Sequence, residues 1–131
     1  MEIVNVIVAG VAGFGFGALW YGVLRDPWLK ASGVAVGADG KPANASDPKP
    51  YIFGMIAMML VAGMMRHTFE LSGIETAGKG LVSGIGIGAF MAAPWLLICY
   101  EFAGRSKRLV LIDGGYAALG SGVIGLVLTL F

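Results

Sequence analysis

Long uncharged apolar stretches alternate with short charged segments along the whole chain. Residues 3–24 contain no charge, and Asn5 is their only strongly polar side chain. Residues 51–65 and 80–100 are also free of charge, and residues 109–131 contain a single acid. About 20 apolar residues in an α-helix cross the hydrocarbon core of a bilayer, which is about 30 Å thick. The pattern therefore predicts four transmembrane helices.

These helices predict an all-α fold, a four-transmembrane-helix bundle that forms one membrane domain over residues 1–131. The predicted spans are 3–24, 50–71, 80–102 and 109–131. The second span continues beyond its uncharged part through Arg66, whose side chain is expected to reach the headgroups. The first span is kept as a helix, because no basic segment of the kind found in a signal peptide precedes it.

The one long connection, residues 25–50, predicts a short helix at the membrane surface. An Asp-Pro pair followed by Trp and Leu at 26–29 combines a helix start with side chains suited to the headgroup layer. The connections at 72–79 and 103–108 are short, so consecutive spans should be antiparallel neighbours.

Basic residues are concentrated in two of the connections. The 25–50 and 103–108 loops together contain seven Lys and Arg residues, whereas the opposite side has Arg66 and Lys79. Because cytoplasmic loops carry the excess of Lys and Arg, this imbalance predicts that both basic loops are cytoplasmic. We expect a multi-pass protein of the bacterial inner membrane with both termini on the periplasmic side.

Composition agrees with a membrane protein and excludes several other classes. Hydrophobic residues are 57% of the 131 residues, charged residues are 13%, and the mean hydropathy is +0.82. These values exclude a water-soluble globule, a disordered chain and a soluble enzyme. A net charge of +1 gives no reason to expect a nucleic-acid partner, and one cysteine cannot form an internal disulfide.

Small residues recur every four positions in three of the predicted spans. Such stripes allow close contact between helix backbones in lipid. The residues are Gly13 and Gly17 in the first span, Gly80, Gly84, Gly88 and Ala92 in the third, and Ala118 and Gly122 in the fourth. Packing within one bundle explains any single stripe. Their number favours at least one glycine-lined face that meets another protein chain, either a partner or a second copy.

The glycine-rich part of the first span is similar to that of the third. The segment 13–20 (GFGFGALW) resembles 84–91 (GIGIGAFM) at an offset of 71 residues. Both spans are predicted to run in the same direction, so the chain could consist of two parallel two-helix repeats. Chance similarity between glycine-rich helices is the alternative.

Polar and aromatic residues collect at the predicted cytoplasmic ends of the helices. Asp113 is the one acid within a span, and it is expected to pair with a basic residue of the 105–108 turn. The candidate cluster comprises Trp20, Tyr21, Arg25, Tyr100, Glu101, Arg105, Asp113 and Tyr116. It is either a binding or coupling site, or an ordinary aromatic belt with basic side chains at the interface.

Few residues suggest a cofactor or a catalytic set. His67 is the only histidine and could contact a heme or another pigment, but no second ligand lies at a suitable spacing. Neither a Cys/His metal cluster nor a nucleophile–base–acid set is evident in the sequence. We therefore expect no metal, no cofactor and no enzymatic activity. An acid–base enzyme would have to use Asp113, Glu101 and Tyr116.

Three short motifs resemble a family of small membrane proteins known as domain of unknown function 1761. They are residues 17–21 (GALWY) with Asn5 and Trp28, residues 100–102 (YEF), and residues 109–116 (LVLIDGGY). The resemblance covers nearly the whole chain and implies a four-helix bacterial membrane protein without an assigned reaction. The chain departs from the family pattern at Asp113, where asparagine is more usual, and in an extended 36–49 stretch.

Two functions remain as hypotheses. The first is a non-enzymatic accessory or assembly subunit of a larger membrane complex, docked through glycine-rich helix faces. The alternative is a small homo-oligomeric transporter or channel for a neutral or hydrophobic solute. The lack of charge in the middle of all four spans argues against proton-coupled transport of cations.

Overall fold

Six α-helices and one π-helical turn make up the computed structural model, which describes residues 2–131. The helices are α1 (Glu2–Val23), α2 (Arg25–Ser32), α3 (Lys49–Ser72), α4 (Ala77–Ile87), α5 (Ala93–Phe102) and α6 (Lys107–Leu128), and the π-helical turn Gly88–Ala92 joins α4 to α5. The prediction of an all-α fold is confirmed.

Four helices are long and apolar enough to cross a membrane. They are α1, α3, the continuous helix Ala77–Phe102 and α6. Their ends lie within three residues of the spans predicted from the sequence. The short helix predicted in the first connection is α2. We refer to the end of the bundle with α2 and the 103–106 turn as the basic end, and to the end with Glu2 and residues 129–131 as the terminal end.

Side-chain caps fix the starts of the last two spans. The Thr76 hydroxyl accepts a hydrogen bond from the Lys79 N–H at 3.4 Å, and α4 therefore begins at Ala77, three residues before the predicted start. The Ser106 hydroxyl accepts from the Leu109 N–H at 3.2 Å at the start of α6. Both residues are of the type preferred at helix N-caps.

Helix α6 is the centre of the bundle. It packs closely against α4 and α1, and also against α5, whereas α3 packs mainly on α1. A buried apolar core joins these helices near the terminal end, comprising Ala9, Ala62, Met65, Phe69, Ile124 and Leu128. A groove separates α3 from the α4–α5 helix, so the bundle is open along one side.

The glycine stripes are used to bring α4 and α1 against α6. A Cβ atom on Gly84 would fall on the Ser121 carbonyl oxygen, and one on Gly88 would fall on that of Ala117. Gly13 gives room to the Ile124 side chain, and Gly17 to the Tyr116 ring. In lipid, such close backbone approach is the main source of helix association.

The remaining predicted packing residues lie in the same interfaces. Gly80 meets Gly125 and Thr129, Gly122 meets Ile85, and Ala118 lies beneath Gly88. The stripes therefore pack inside one chain. The named stripes are used within the bundle, whereas a Cβ built on Gly15 or Gly86 would meet no atom within 4 Å, so contact with another protein through a glycine-lined face stays a prediction.

The π-helical turn interrupts the third span, and Pro94 accounts for it. Proline has no N–H, and its ring collides with the carbonyl of the residue four positions earlier. The helix widens before it, and the Ala93 N–H donates to the Gly88 carbonyl five residues back. One extra residue turns all following side chains by about 100°.

This rotation ends the predicted Gly80–Ala92 stripe at Gly88. Ala92 lines the groove. Ala93 instead takes the close position against α6, where a Cβ on Gly114 would lie 3.4 Å from that of Ala93. Regular α-helical spacing could not predict this shift.

The two similar segments in α1 and α4 both pack on α6, at Ile124 and Tyr116 for one and at Ser121 and Ala117 for the other. The two helix pairs are not equivalent, however. In two such repeats, α1 would correspond to the α4–α5 helix, and α3 would correspond to α6. Helix α1 contacts α6, whereas the groove separates the equivalent pair, the α4–α5 helix and α3.

A polar network closes the terminal end. Asn5 is 2% exposed, and its Nδ2 donates to the carbonyls of Leu128 at 3.3 Å and Phe131 at 3.1 Å. Its Oδ1 accepts from Arg66 Nη1 at 2.7 Å, and Arg66 Nε donates to Glu70 at 3.0 Å. Arg66 also lies 4.0 Å from the exposed Glu2 carboxylate, so its guanidinium group joins Asn5 to acidic side chains at the terminal end.

Candidate ligand-binding groove

The open side of the bundle forms a groove with a volume of about 810 Å³. Helix α3 forms one wall, the α4–α5 helix forms the other, and α6 forms the floor. Met64, Met91 and Trp95 line the groove and are also more than 60% exposed. Because all three lie within the spans, the groove opens sideways, toward the bilayer.

The groove covers about half the thickness of a membrane. Its floor extends along α6 from Asp113 to Ile124, which is about 16 Å at 1.5 Å per residue. The hydrocarbon core is about 30 Å thick. Asp113 lies six residues after Lys107 and Ile124 lies four residues before Leu128, so the floor covers the middle of α6, with Asp113 toward the basic end.

Methionine and other apolar side chains form most of the lining. The lining residues on α3 are Met58, Val61, Met64 and Met65, and those on the α4–α5 helix are Ile87, Met91, Ala92, Trp95 and Leu96. Methionine is flexible and polarisable, so such a lining adapts to occupants of different shape.

Asp113 lies at the basic end of the groove and accepts hydrogen bonds from two tyrosines. The Tyr21 hydroxyl of α1 donates to Oδ1 at 2.5 Å. The Tyr100 hydroxyl of α5 donates to Oδ2 at 2.7 Å. These charge-assisted bonds connect three helices through one carboxyl group. Of the lining residues that the structure describes, Asp113 alone carries a carboxylate or a basic group.

The expected pairing of Asp113 with a basic residue is not found in the described part of the chain. Leu109, Ile112 and Asp113 face the interior of the bundle, whereas Lys107 and Arg108 are exposed. Residues five or six positions apart on a helix do not face each other. Arg105 is also engaged elsewhere, because its Nη2 donates to the Ser32 carbonyl at 2.6 Å.

The segment Ile112–Tyr116 builds this end of the groove residue by residue. The Ile112 carbonyl accepts from Trp20 Nε1 at 2.9 Å. Gly115 makes room for the Trp20 indole, which a Cβ atom would contact at 2.7 Å. The Tyr116 hydroxyl donates to the Gly13 carbonyl at 2.9 Å.

Aromatic rings surround Asp113. Tyr21 meets Tyr116 edge to face with centroids 5.4 Å apart, and it meets Trp28 of α2 in the same way at 6.1 Å. Tyr100 and Trp95 of α5 also line the groove. We refer to Asp113 with these five rings, Tyr21, Trp28, Trp95, Tyr100 and Tyr116, as the polar end of the groove.

The sequence-based cluster is thus divided by the structure. The groove is lined by Tyr21, Tyr100, Asp113 and Tyr116. Trp20 lies beside it and donates a hydrogen bond to the Ile112 carbonyl. Arg25, Glu101 and Arg105 are exposed outside it, and Arg25 Nη2 donates to the Gly40 carbonyl at 3.0 Å. Glu101 follows Tyr100 directly, so its side chain is turned away by about 100°.

The groove wall was missed by sequence reasoning. In a sequence, nothing distinguishes the wall residues from ordinary packing or lipid-facing residues. They include Met58, Met65, Met91 and Trp95. The available signal was Pro94, because a proline inside a predicted span indicates a distorted helix whose next side chains change direction.

His67 lies far from the polar end. It is exposed and borders a surface depression at the terminal end with Glu2, Arg66 and Glu70. Among residues 2–131, no group of three or more His, Cys, Asp or Glu side chains is placed to hold a metal ion.

The fold and the groove define a helical membrane protein with four spans and a laterally open cavity. The chain belongs to the family described as protein of unknown function (DUF1761), whose model matches residues 4–129. The three motifs that suggested this family, residues 17–21, 100–102 and 109–116, meet at the polar end of the groove.

A similar protein of Archaeoglobus fulgidus is described as uncharacterized. It is 30% identical over 79 residues, which are 60% of this chain. The chain spans only 12% of that relative's length. No solved structure matches the chain.

Replacing Tyr100 with phenylalanine is expected to loosen α5. None of the residues of α5 is buried, so the bond to Asp113 is a large part of what holds this helix. Losing a hydrogen bond to a charged group costs about 1.5–3 kcal/mol. Amide hydrogen exchange should therefore become at least about tenfold faster in 93–102 and stay unchanged in 77–87.

Tyr51→Phe is the matched control, because the Tyr51 hydroxyl makes only a long, exposed bond of 3.4 Å to the Ala45 carbonyl. Equal exchange in α5 for both variants would show that the Tyr100–Asp113 bond does not hold the helix.

Proposed function

We propose that the protein is a non-enzymatic membrane protein that binds a lipid-like amphiphile in the groove and serves as a small carrier for hydrophobic solutes. The observation that carries this proposal is the groove itself: an apolar cavity of about 810 Å³ with one polar end. Ligand sites typically measure about 300–1,000 Å³ and combine an apolar lining with a few placed polar groups.

The length of the groove favours an occupant shorter than a transmembrane helix. A groove of about 16 Å covers about half of the hydrocarbon core. A transmembrane helix of a partner would need the full thickness, whereas a lipid tail with its headgroup needs one half. An amphiphile can place its head at Asp113 and its tail against Met58, Met65 and Met91.

The charge distribution supports an orientation for this site. The polar end lies at the basic end of the bundle, beside the loops that contain seven of the nine Lys and Arg residues. The positive-inside rule then puts the headgroup site at the cytoplasmic leaflet of the inner membrane, with both termini outside.

An accessory role in a larger complex is the competing function. It was inferred from glycine faces, and those faces pack against α6 within this chain. The exposed apolar faces of α1 and α3 are suited to lipid, and they give no sign of which chain would dock there.

The test uses photolabelling of the purified full chain with hexadecanol that carries a diazirine on its tail. Labels are expected on groove residues of α3, α5 and α6. Ala92→Trp should reduce this labelling by about tenfold, since the indole would fill the groove beside Ala92. Ala57→Trp introduces the same side chain on an exposed face of α3 and should leave labelling unchanged.

Labels distributed evenly over the outer faces of all four spans would contradict the proposal. Native mass spectrometry of the gently extracted protein separates the alternatives further. Retained amphiphile supports the carrier, whereas a stable assembly with other proteins and no retained amphiphile supports the accessory subunit.

A further inference from the structure

We infer that the polar end of the groove selects an amphiphile with a positively charged alkylammonium head. This inference rests on the proposed function, because it names the chemistry of the ligand that the groove would hold. It follows from one carboxyl group, the aromatic rings around it and the positions of the basic residues nearby.

The first argument is the charge of the lining. Asp113 is the only lining residue with a carboxylate or a basic group in the described chain. The basic residues closest in sequence, Arg108, Lys107 and Arg105, are exposed outside the groove. No basic side chain of residues 2–131 lines the groove beside the Asp113 carboxyl group, and charge complementarity favours a cationic head over a neutral or anionic one.

The second argument is the unused capacity of the carboxyl group. Each carboxylate oxygen offers about two acceptor positions. Tyr21 occupies one position on Oδ1, and Tyr100 occupies one on Oδ2. Both hydroxyls fix the direction of the carboxyl group, and each oxygen retains room for an approaching cation.

The third argument is the aromatic surround. Tyr21, Trp28, Trp95, Tyr100 and Tyr116 line the groove together with Asp113. Rings of Trp and Tyr attract cations through their faces, and groups of such rings are the usual recognition site for quaternary ammonium groups. An aromatic belt alone would leave rings at the outer surface, as for Trp95, which is 71% exposed. The other four rings are partly buried and line one cavity from α1, α2, α5 and α6.

The test compares three amphiphiles with the same C16 tail. Hexadecyltrimethylammonium, hexadecanol and hexadecyl sulfate compete with the diazirine-labelled hexadecanol for the full chain in dodecyl maltoside. The ammonium compound should compete about tenfold or more better than hexadecanol, and hexadecyl sulfate should compete worst.

Asp113→Asn should bring the ammonium compound to the level of hexadecanol measured in the same variant. Glu101→Gln removes the same charge one residue from Tyr100 but outside the groove, so it should retain the preference. This control separates binding of the ammonium head at Asp113 from a general effect of the protein's surface charge.

Trp28→Leu provides a second variant if the asparagine variant is unstable. It removes one ring of the polar end and leaves Asp113 with both tyrosines, and it should lower the preference for the ammonium compound several-fold. Tryptophan emission gives an independent readout, because Trp28 and Trp95 line the groove.

The outcomes distinguish the two proposals. If all three amphiphiles compete equally in the unmodified protein, the groove binds tails without choosing a head, so the ammonium inference is overturned and the proposed function stands. If none of them protects the groove from labelling, the proposed function fails as well. A preference that survives Asp113→Asn would also overturn the inference.

Discussion

Replacing Gly84 with leucine is expected to prevent stable assembly of the bundle. A Cβ atom at this position would fall on the Ser121 carbonyl oxygen and lie 3.0 Å from the Gly122 Cα. Both are backbone atoms, which cannot move aside as a flexible side chain can. Overpacking a core usually costs about 1–3 kcal/mol, and we expect the upper end of this range or more.

Gly86→Leu is the matched control for this prediction. It lies two residues further along α4, and no atom lies within 4 Å of the position that its Cβ would take. Titration with SDS, followed by tryptophan emission, should show a much lower unfolding midpoint for Gly84→Leu and little change for Gly86→Leu. Equal midpoints would mean that the contact between α4 and α6 is looser than the structure has it.

Replacing Asn5 with leucine is expected to have the second largest effect. Asn5 is nearly fully buried, and it donates to the end of α6 while accepting from Arg66. Leucine has the same number and branching of side-chain heavy atoms but offers no polar atom, so two carbonyls and one guanidinium N–H lose a partner. Leaving buried polar groups unpaired costs about 1–3 kcal/mol per group, and more when one is charged.

Thr68→Val is the control for a lost polar group near the same end. The Thr68 hydroxyl donates only to the Met64 carbonyl of its own helix at 2.9 Å, so its loss should be nearly neutral. Asn5→Leu should lower the SDS midpoint and speed hydrogen exchange in the last turn of α6. If Asn5→Leu and Thr68→Val had the same SDS midpoint, the hydrogen bonds of Asn5 would not stabilise the bundle.

The spans could be predicted because they depend on local hydrophobicity alone. Residues 3–24 need no partner to be identified as apolar and long enough to cross a membrane. The short helix α2 was also predictable, but Asp26 does not cap it, because α2 begins at Arg25 after Leu24 and has no side-chain cap. These features depend on residues close together in the sequence.

The groove could not be predicted, because it depends on which helices do not meet. Gly84 and Gly17 bring α4 and α1 against α6, and α3 is left to pack mainly on α1. The gap between α3 and α5 is a consequence of these separate contacts. A stripe of small residues indicates a close contact but does not identify its partner.

The partners of Asp113 illustrate the same limit. Sequence proximity suggested Arg105, Lys107 or Arg108. The observed donors are instead Tyr21, which is 92 residues away, and Tyr100. The direction of the Asp113 side chain depends on the phase of α6. The position of Tyr100 depends on the extra residue of the π-helical turn, which regular helical spacing omits.

The sideways opening of the groove changes which concentration governs its occupancy. A ligand that enters from the bilayer never has to be extracted from water by the protein, because partitioning has already concentrated it in the leaflet. The hydrophobic gain from removing its tail from water therefore belongs to the membrane and is the same for every tail of equal length. The protein then only has to discriminate among amphiphiles that are already dissolved in the same leaflet. A small difference at the head can decide occupancy there, even when binding measured against water would look dominated by the tail.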